Sequence, residues 1–172
     1  IAANDCSDNQ LCGLKVFGKS TQASTTGKNL LQNTAISQLV KGVNFTVNAD
    51  GTIVAHGTAT GDIYYDIGTI SLTGSHIMTG CPANGSEAGY FMDLVNIGVS
   101  TIGKDLGTGT TVTLDGTSLT ARIRIMSGVT VSNLVYKPMV RPASILSDAY
   151  EPYTGGVASP NLNFQQAIHS MG

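Results

Sequence analysis

Val43-Asn44-Phe45-Thr46-Val47, then Asn48-Ala49-Asp50-Gly51, then Thr52-Ile53-Val54-Ala55-His56-Gly57-Thr58-Ala59-Thr60: the reading of this stretch decides the fold class. Apolar and polar residues alternate over 43–47, the period of a strand with one face in a core and the other in water. Asp50-Gly51 is a hairpin dipeptide, because Gly accepts positive φ at little cost. The return strand runs over 52–60, and Gly61-Asp62 closes it.

The same grammar continues on both sides. Residues 69–72 alternate and Thr73-Gly74-Ser75 turns; 76–79 is a short strand ended by Gly80-Cys81-Pro82. Residues 90–97 read as a full strand, 99–110 as Gly-punctuated and irregular, and 111–114 as a strand leading into Asp115-Gly116. Over 119–126, Leu119, Ala121, Ile123 and Ile125 share one face, and Arg122 and Arg124 the other. Residues 131–140 read as one long strand with Pro138 near its end, where a missing N–H does least harm. Residues 144–150 suit one short helical turn. Eight or nine short strands at this spacing predict an all-β, antiparallel two-sheet β-sandwich.

The ends read differently. Residues 14–17 suit one short strand, and 20–27 is a flexible run of Ser, Thr, Gln, Ala and Gly. The division expected is an N-terminal arm at 1–26, a β-sandwich module at 27–153 and a C-terminal connector at 154–172. Residue 1 is Ile with no signal-peptide pattern behind it, which reads as a processed or excised piece of a longer chain. Cys6, Cys12 and Cys81 are odd in number, so full pairing within the chain is impossible. A small Cys6–Cys12 loop is open to it; free thiols made in a reducing cytoplasm are the favoured reading.

Composition excludes several classes. Of 172 residues only 12% are charged, about half the usual share, and the net charge is −2. No basic cluster exceeds two residues, which argues against duplex nucleic-acid binding. No apolar run exceeds four residues, so no membrane-spanning helix is expected. Thr (20), Ser (15) and Asn (11) dominate the polar surface. Asp50, Asp62, Asp105 and Asp115 lie beside Gly or in Gly-rich loops, where turn chemistry accounts for them without any reaction. There is no Gly-x-Ser-x-Gly elbow, and His56, His76 and His169 have no companion at ligand spacing. No catalytic residue, metal site or cofactor is assigned.

One constellation stands out. Tyr64 and Tyr65 are strand neighbours, so one ring faces the core and the other faces out, where it can stack on a sugar or anchor a partner. Asp93 shares a face with Phe91 and Val95, an unusual place for a carboxylate. If Arg122 and Arg124 lie on that same sheet face, Asp93 and an Arg pair across strands. Phe91 or a Tyr would then stack, while Asp93, Arg122 and Arg124 hydrogen-bond hydroxyls in fork geometry. The candidate glycan-binding set is Tyr64, Tyr65, Phe91, Asp93, Arg122 and Arg124.

Five stretches, in order, resemble a module of tail and baseplate proteins of bacteriophages and prophages of Firmicutes. They are Gly27-Lys28-Asn29-Leu30-Leu31-Gln32-Asn33-Thr34, the hairpin at 42–59, the run from Leu72-Thr73-Gly74 to Gly80-Cys81-Pro82, the strand at 127–141, and Tyr150-Glu151-Pro152-Tyr153-Thr154-Gly155-Gly156. Residues 158–172 resemble that family's connector into a following module. The resemblance implies a jelly roll similar to carbohydrate-binding modules, carried on a virion protein that touches the host surface. From it we expect a non-enzymatic, virion-associated tail, baseplate or fibre module, assembled in the host cytoplasm and homo-oligomeric in the full virion protein. Its partners would be a host cell-surface polysaccharide or other virion proteins, with neither nucleic acid nor membrane insertion. The alternative is a purely structural spacer or decoration domain; the absence of Trp favours it, and the resemblance favours binding.

Overall fold

The computed structural model describes residues 24–158. Cys6, Cys12, the short strand expected at 14–17, half of the linker at 20–27 and most of the C-terminal connector lie outside the described residues. Thr25–Val157 forms one compact unit.

Every regular element among the described residues is a strand. In chain order they are β1 (Ser24–Thr26), β2 (Gln38–Val40), β3 (Val43–Val47), β4 (Ile53–Thr58), β5 (Ile63–Ile70), β6 (Thr73–Thr79) and β7 (Tyr90–Asn96). There follow β8 (Ser100–Asp105), β9 (Thr110–Asp115), β10 (Leu119–Ile125), β11 (Thr130–Tyr136), β12 (Met139–Pro142) and β13 (Gly156–Ala158). The protein is an all-β, antiparallel sandwich. Sheet I has the order β5-β10-β7-β8, sheet II β11-β4-β3-β2 and sheet III β12-β6-β9, while β1 pairs with β13.

The hairpin that opened the reading is β3–β4, with Val43 opposite Gly57 and Val47 opposite Ile53. Gly51 N donates to Asn48 O at 2.9 Å, and Gly51 has a φ of 80°. A residue with a Cβ would meet strain there. The Asp50 carboxylate caps the turn, accepting from the Thr52 hydroxyl and the Thr52 N–H, and these bonds hold its pKa below the ordinary value.

Three sheets stand where two were expected, and the cause lies at Pro138. The expected single strand over 131–140 is two strands: β11 closes sheet II on β4, and β12 closes sheet III on β6. Pro138 has no N–H to continue a ladder, so the chain leaves one sheet and enters another. Gly80 sits at the crossing. Lys137 N donates to Gly80 O at 2.9 Å, and a Cβ on Gly80 would lie 2.2 Å from Lys137 O.

Other segments also depart from expectation. Residues 99–110 contain β8, whose alternation is hidden by an irregularity in its pairing with β7 between Leu94 and Val95. The turn expected at 73–75 belongs to β6, and the break falls at Ser71-Leu72. The helical turn expected at 144–150 is a tight turn at 143–144, closed by Ile145 N donating to Pro142 O at 3.0 Å, followed by irregular chain. The leading segment after Gly27 makes single bonds instead of a ladder: Leu30 N to Val140 O at 2.7 Å and Thr34 N to Ile67 O at 2.8 Å.

Between sheets I and II the core is aliphatic, with two aromatic pairs across it. Phe45 of β3 stacks on Tyr65 of β5 with centroids 4.0 Å apart, and Tyr90 of β7 meets Tyr136 of β11 edge to face at 6.4 Å. Such pairs contribute roughly 0.5–1.5 kcal/mol beyond the burial of their area.

Cys81 lies beside this core, its N–H donating to Asp105 Oδ2 at 2.8 Å. Asp105 Oδ1 accepts from Gly107 N and Gly109 N, so one buried carboxylate organises a whole loop. Burial, with the Asp105 charge adding to it, pushes the Cys81 thiol up from 9.0 to about 12. Burial raises the Tyr136 phenol as well. Both groups therefore stay neutral in the fold and ionise sooner in the unfolded chain. Their stabilisation is complete below the unfolded values and is lost as pH rises toward the folded ones. The denaturation midpoint should hold steady up to about pH 9 and fall above it, Cys81 contributing about 1.4 kcal/mol per pH unit from there and Tyr136 the same from about pH 10. Urea titrations across that range check this, and Cys81→Ala should flatten the first part of the descent. A midpoint that does not move up to about pH 11 would contradict the burial of both groups.

Candidate functional site

The outer face of sheet I is assembled by register. Pairing of β10 with β7 sets Arg122 opposite Asp93 and Arg124 opposite Phe91. Pairing of β10 with β5 sets Arg124 opposite Tyr64 and Arg122 opposite Asp66. Pairing of β7 with β8 brings Lys104 opposite Asp93. Side chains across such a ladder stand about 4.5–5.5 Å apart at Cβ, so these groups meet.

Asp93 is the hub. Its side chain is fully buried, and both oxygens are engaged. Arg122 donates from Nε to Oδ1 at 2.8 Å and from Nη2 to Oδ2 at 3.2 Å, and Arg124 donates from Nη1 to Oδ2 at 3.2 Å. One carboxylate thus carries two guanidinium groups, and the cluster keeps a net charge of +1. Among the described residues, Nη1 of Arg122 and Nη2 of Arg124 have no hydrogen-bond partner within the chain.

The rings form the second layer. The Arg124 guanidinium carbon lies 3.9 Å from the centroid of Tyr64 and 5.3 Å from that of Phe91, and Arg122 stands 5.0 Å from Tyr64. These are cation–π distances. Lys104 Nζ lies 5.8 Å from the Phe91 centroid and also pairs with Glu87. Tyr64 is half exposed and presents the open aromatic surface of the patch.

Five of the six residues singled out from sequence meet on this face: Tyr64, Phe91, Asp93, Arg122 and Arg124. Tyr65 does not. Ile63, Tyr65 and Ile67 all point into the core; Tyr65 is 2% exposed, stacks on Phe45, and its hydroxyl donates to Ile36 O at 2.6 Å. Its ring is therefore closed to any ligand. Phe91 faces outward but is 3% exposed beneath Arg124 and Lys104, so the exposed ring of this face is that of Tyr64. Asp93 makes the cross-strand pairing expected of it, with both arginines, and its oxygens are taken up in holding them. Lys104 was not picked out from sequence, because the strand carrying it was hidden by its irregular pairing.

A cavity of about 270 Å³ lies at the tip of the β3–β4 hairpin, lined in part by Asn33, Asn48, Asp50, Tyr150 and Tyr153. Its polar groups serve the fold. Asn33 Nδ2 donates to Gly51 O, Asn48 Nδ2 to the Thr52 hydroxyl, and the Tyr150 hydroxyl to Asp50 O at 2.7 Å. This cavity ties the C-terminal end of the unit to the hairpin.

Comparison with family models, with curated proteins and with solved structures returned no match to this chain.

Proposed function

We propose that this domain is a non-enzymatic adhesion module whose outer sheet I face docks a hydroxyl-rich glycan. The observation that carries the reading is the Tyr64–Arg124–Asp93 stack. An open ring lies against a guanidinium that a buried carboxylate holds in place, and among the described residues Arg122 Nη1 and Arg124 Nη2 are left without a partner. A ring and oriented donors fixed before binding lower the ordering cost of recognition. Five of the carboxylates are engaged by the fold. Asp50, Asp105 and Asp115 accept N–H groups of their own loops, Asp62 accepts from Ser127 N, and Asp93 holds two arginines. A virion tail, baseplate or fibre setting, with a host cell-surface polysaccharide as the target, rests on the resemblance of the five stretches quoted above. Repeated copies in a homo-oligomeric assembly would raise weak single contacts to useful avidity.

The second reading is a structural spacer that docks other virion proteins. A flat Arg- and Tyr-bearing face also suits a protein contact, since both residues are enriched at such interfaces. A glycan array with a solution mass measurement separates the two. The first reading expects about millimolar binding by the domain, weakened about tenfold in Tyr64→Ala with the fold intact. A stable oligomer without glycan binding would favour the second. Glycan binding unchanged by Tyr64→Ala would remove this face from the proposal.

A further inference from the structure

Arg141 differs from the other buried-side arginines. It is 5% exposed on β12, yet among the described residues no carboxylate is in ion-pair contact with it. One terminal nitrogen, Nη1, donates to Ile145 O, and Nε has no partner. A guanidinium withdrawn from water in this way calls for acceptors. It lines a cavity of about 470 Å³ on the outer side of sheet III, within the size range of small-molecule sites.

Register builds the floor of this cavity. Arg141 lies opposite Ile77, and Ile77 opposite Thr111, so a guanidinium, an aliphatic side chain and a hydroxyl form one row across β12, β6 and β9. Adjacent strands are about 4.8 Å apart. Thr79 adds a second hydroxyl from β6, while Leu146 and Asp148 line the cavity from the chain that follows β12. Both are exposed.

Charge decides which ligand suits the row. Asp105 and Asp148 both line the cavity with Arg141, giving two carboxylates and one guanidinium. The N–H groups of Gly107 and Gly109 are already held by Asp105, so they offer nothing to an anion. An anion would satisfy Arg141 and meet two negative charges; a cation would satisfy Asp148 and meet Arg141. A molecule carrying hydroxyls supplies acceptors to Arg141 and donors to Asp148 together, and its C–H face can lie on Ile77 and Leu146.

We propose that this cavity binds one uncharged, hydroxyl-rich ring of pyranose size, as a second saccharide site separate from the Tyr64 face. It extends the glycan reading to a second surface but does not depend on Tyr64.

The experiment is a titration of the full chain, followed by amide ¹⁵N–¹H spectra. The probes are methyl glycosides of glucose, galactose, mannose and N-acetylglucosamine, each to about 50 mM, with sodium sulfate as the anion control. At least one glycoside should shift the amides of Ile77, Gly107 to Thr111 and Arg141 with about millimolar affinity. Asp148→Asn, an exposed change that leaves the core untouched, should weaken this by about tenfold, and Arg141→Gln by at least as much. Tyr64→Ala should leave it unchanged. The proposal fails if no glycoside moves these amides. It also fails if Asp148→Asn does not weaken the shift, or if sulfate moves them more strongly and Asp148→Asn strengthens it. Shifts confined to the Tyr64 face would overturn this site and spare the reading of the Tyr64 face. Shifts at the cavity alone would do the reverse.

Discussion

Asp93→Asn should destabilise the domain by about 3–5 kcal/mol, because it strips two largely buried guanidinium groups of their shared counter-charge. The Asp93 side chain is fully buried, and those of Arg122 and Arg124 are only 16% and 14% exposed. Water therefore does little to replace the lost charge. The result would show as a large drop in urea midpoint with an unchanged slope. The decisive comparison is a triple variant, Asp93→Leu with Arg122→Leu and Arg124→Met. It removes all three charges together and should recover most of the loss, since packed apolar side chains commonly equal or exceed a buried ion cluster. It should recover no glycan binding. Recovery of glycan binding as well would mean that the cluster is not part of a binding face, and a triple variant as unstable as Asp93→Asn would mean that the unpaired charges are not the origin of the destabilisation. A single Asp93→Asn variant as stable as the parent would mean that water reaches the arginines freely.

Gly80→Ala is the other large effect. A methyl group here would sit 2.2 Å from Lys137 O, 2.4 Å from Lys137 C and 2.8 Å from Pro138 N. All three are backbone atoms, so no rotamer change relieves the clash. The φ of 126° adds strain for any residue with a Cβ. The substitution should cost about 4 kcal/mol or more, placing it in the rare tail of point mutations. Thermal unfolding of the soluble fraction measures it. The control is Gly74→Ala, also at positive φ, where a Cβ meets nothing within 4 Å and the cost should stay near 1 kcal/mol. Equal losses at the two positions would mean that backbone strain, and not the crossing of two sheets, sets the sensitivity.

How much of this could be read from residues alone depends on whether a feature is local. The β3–β4 hairpin was legible twice over, as alternation at 43–47 and as an Asp-Gly turn. The partnership of Asp93 with Arg122 and Arg124 was legible as a conditional, because a carboxylate between Phe91 and Val95 requires a cation opposite. The register that supplies those cations is a tertiary fact. Tyr65 was a missed inference: Ile63, Tyr65 and Ile67 share one parity, which marks the second tyrosine of the pair as the buried one. The third sheet was less accessible. Pro138 signalled that a ladder must stop, but nothing in 131–140 says that the chain resumes in a different sheet. Arg141 gave no signal either, since a single basic residue beside Pro142 looks like any surface residue until the chain after β12 is seen to shelter it.

The pairing of β1 with β13 has a mechanical consequence. The chain enters this unit at β1 and leaves it at β13, two paired strands. A pull on the two ends of the unit therefore loads the β1–β13 pair before any strand of the three larger sheets. The outer faces of sheets I and III can keep their shape while that pair opens.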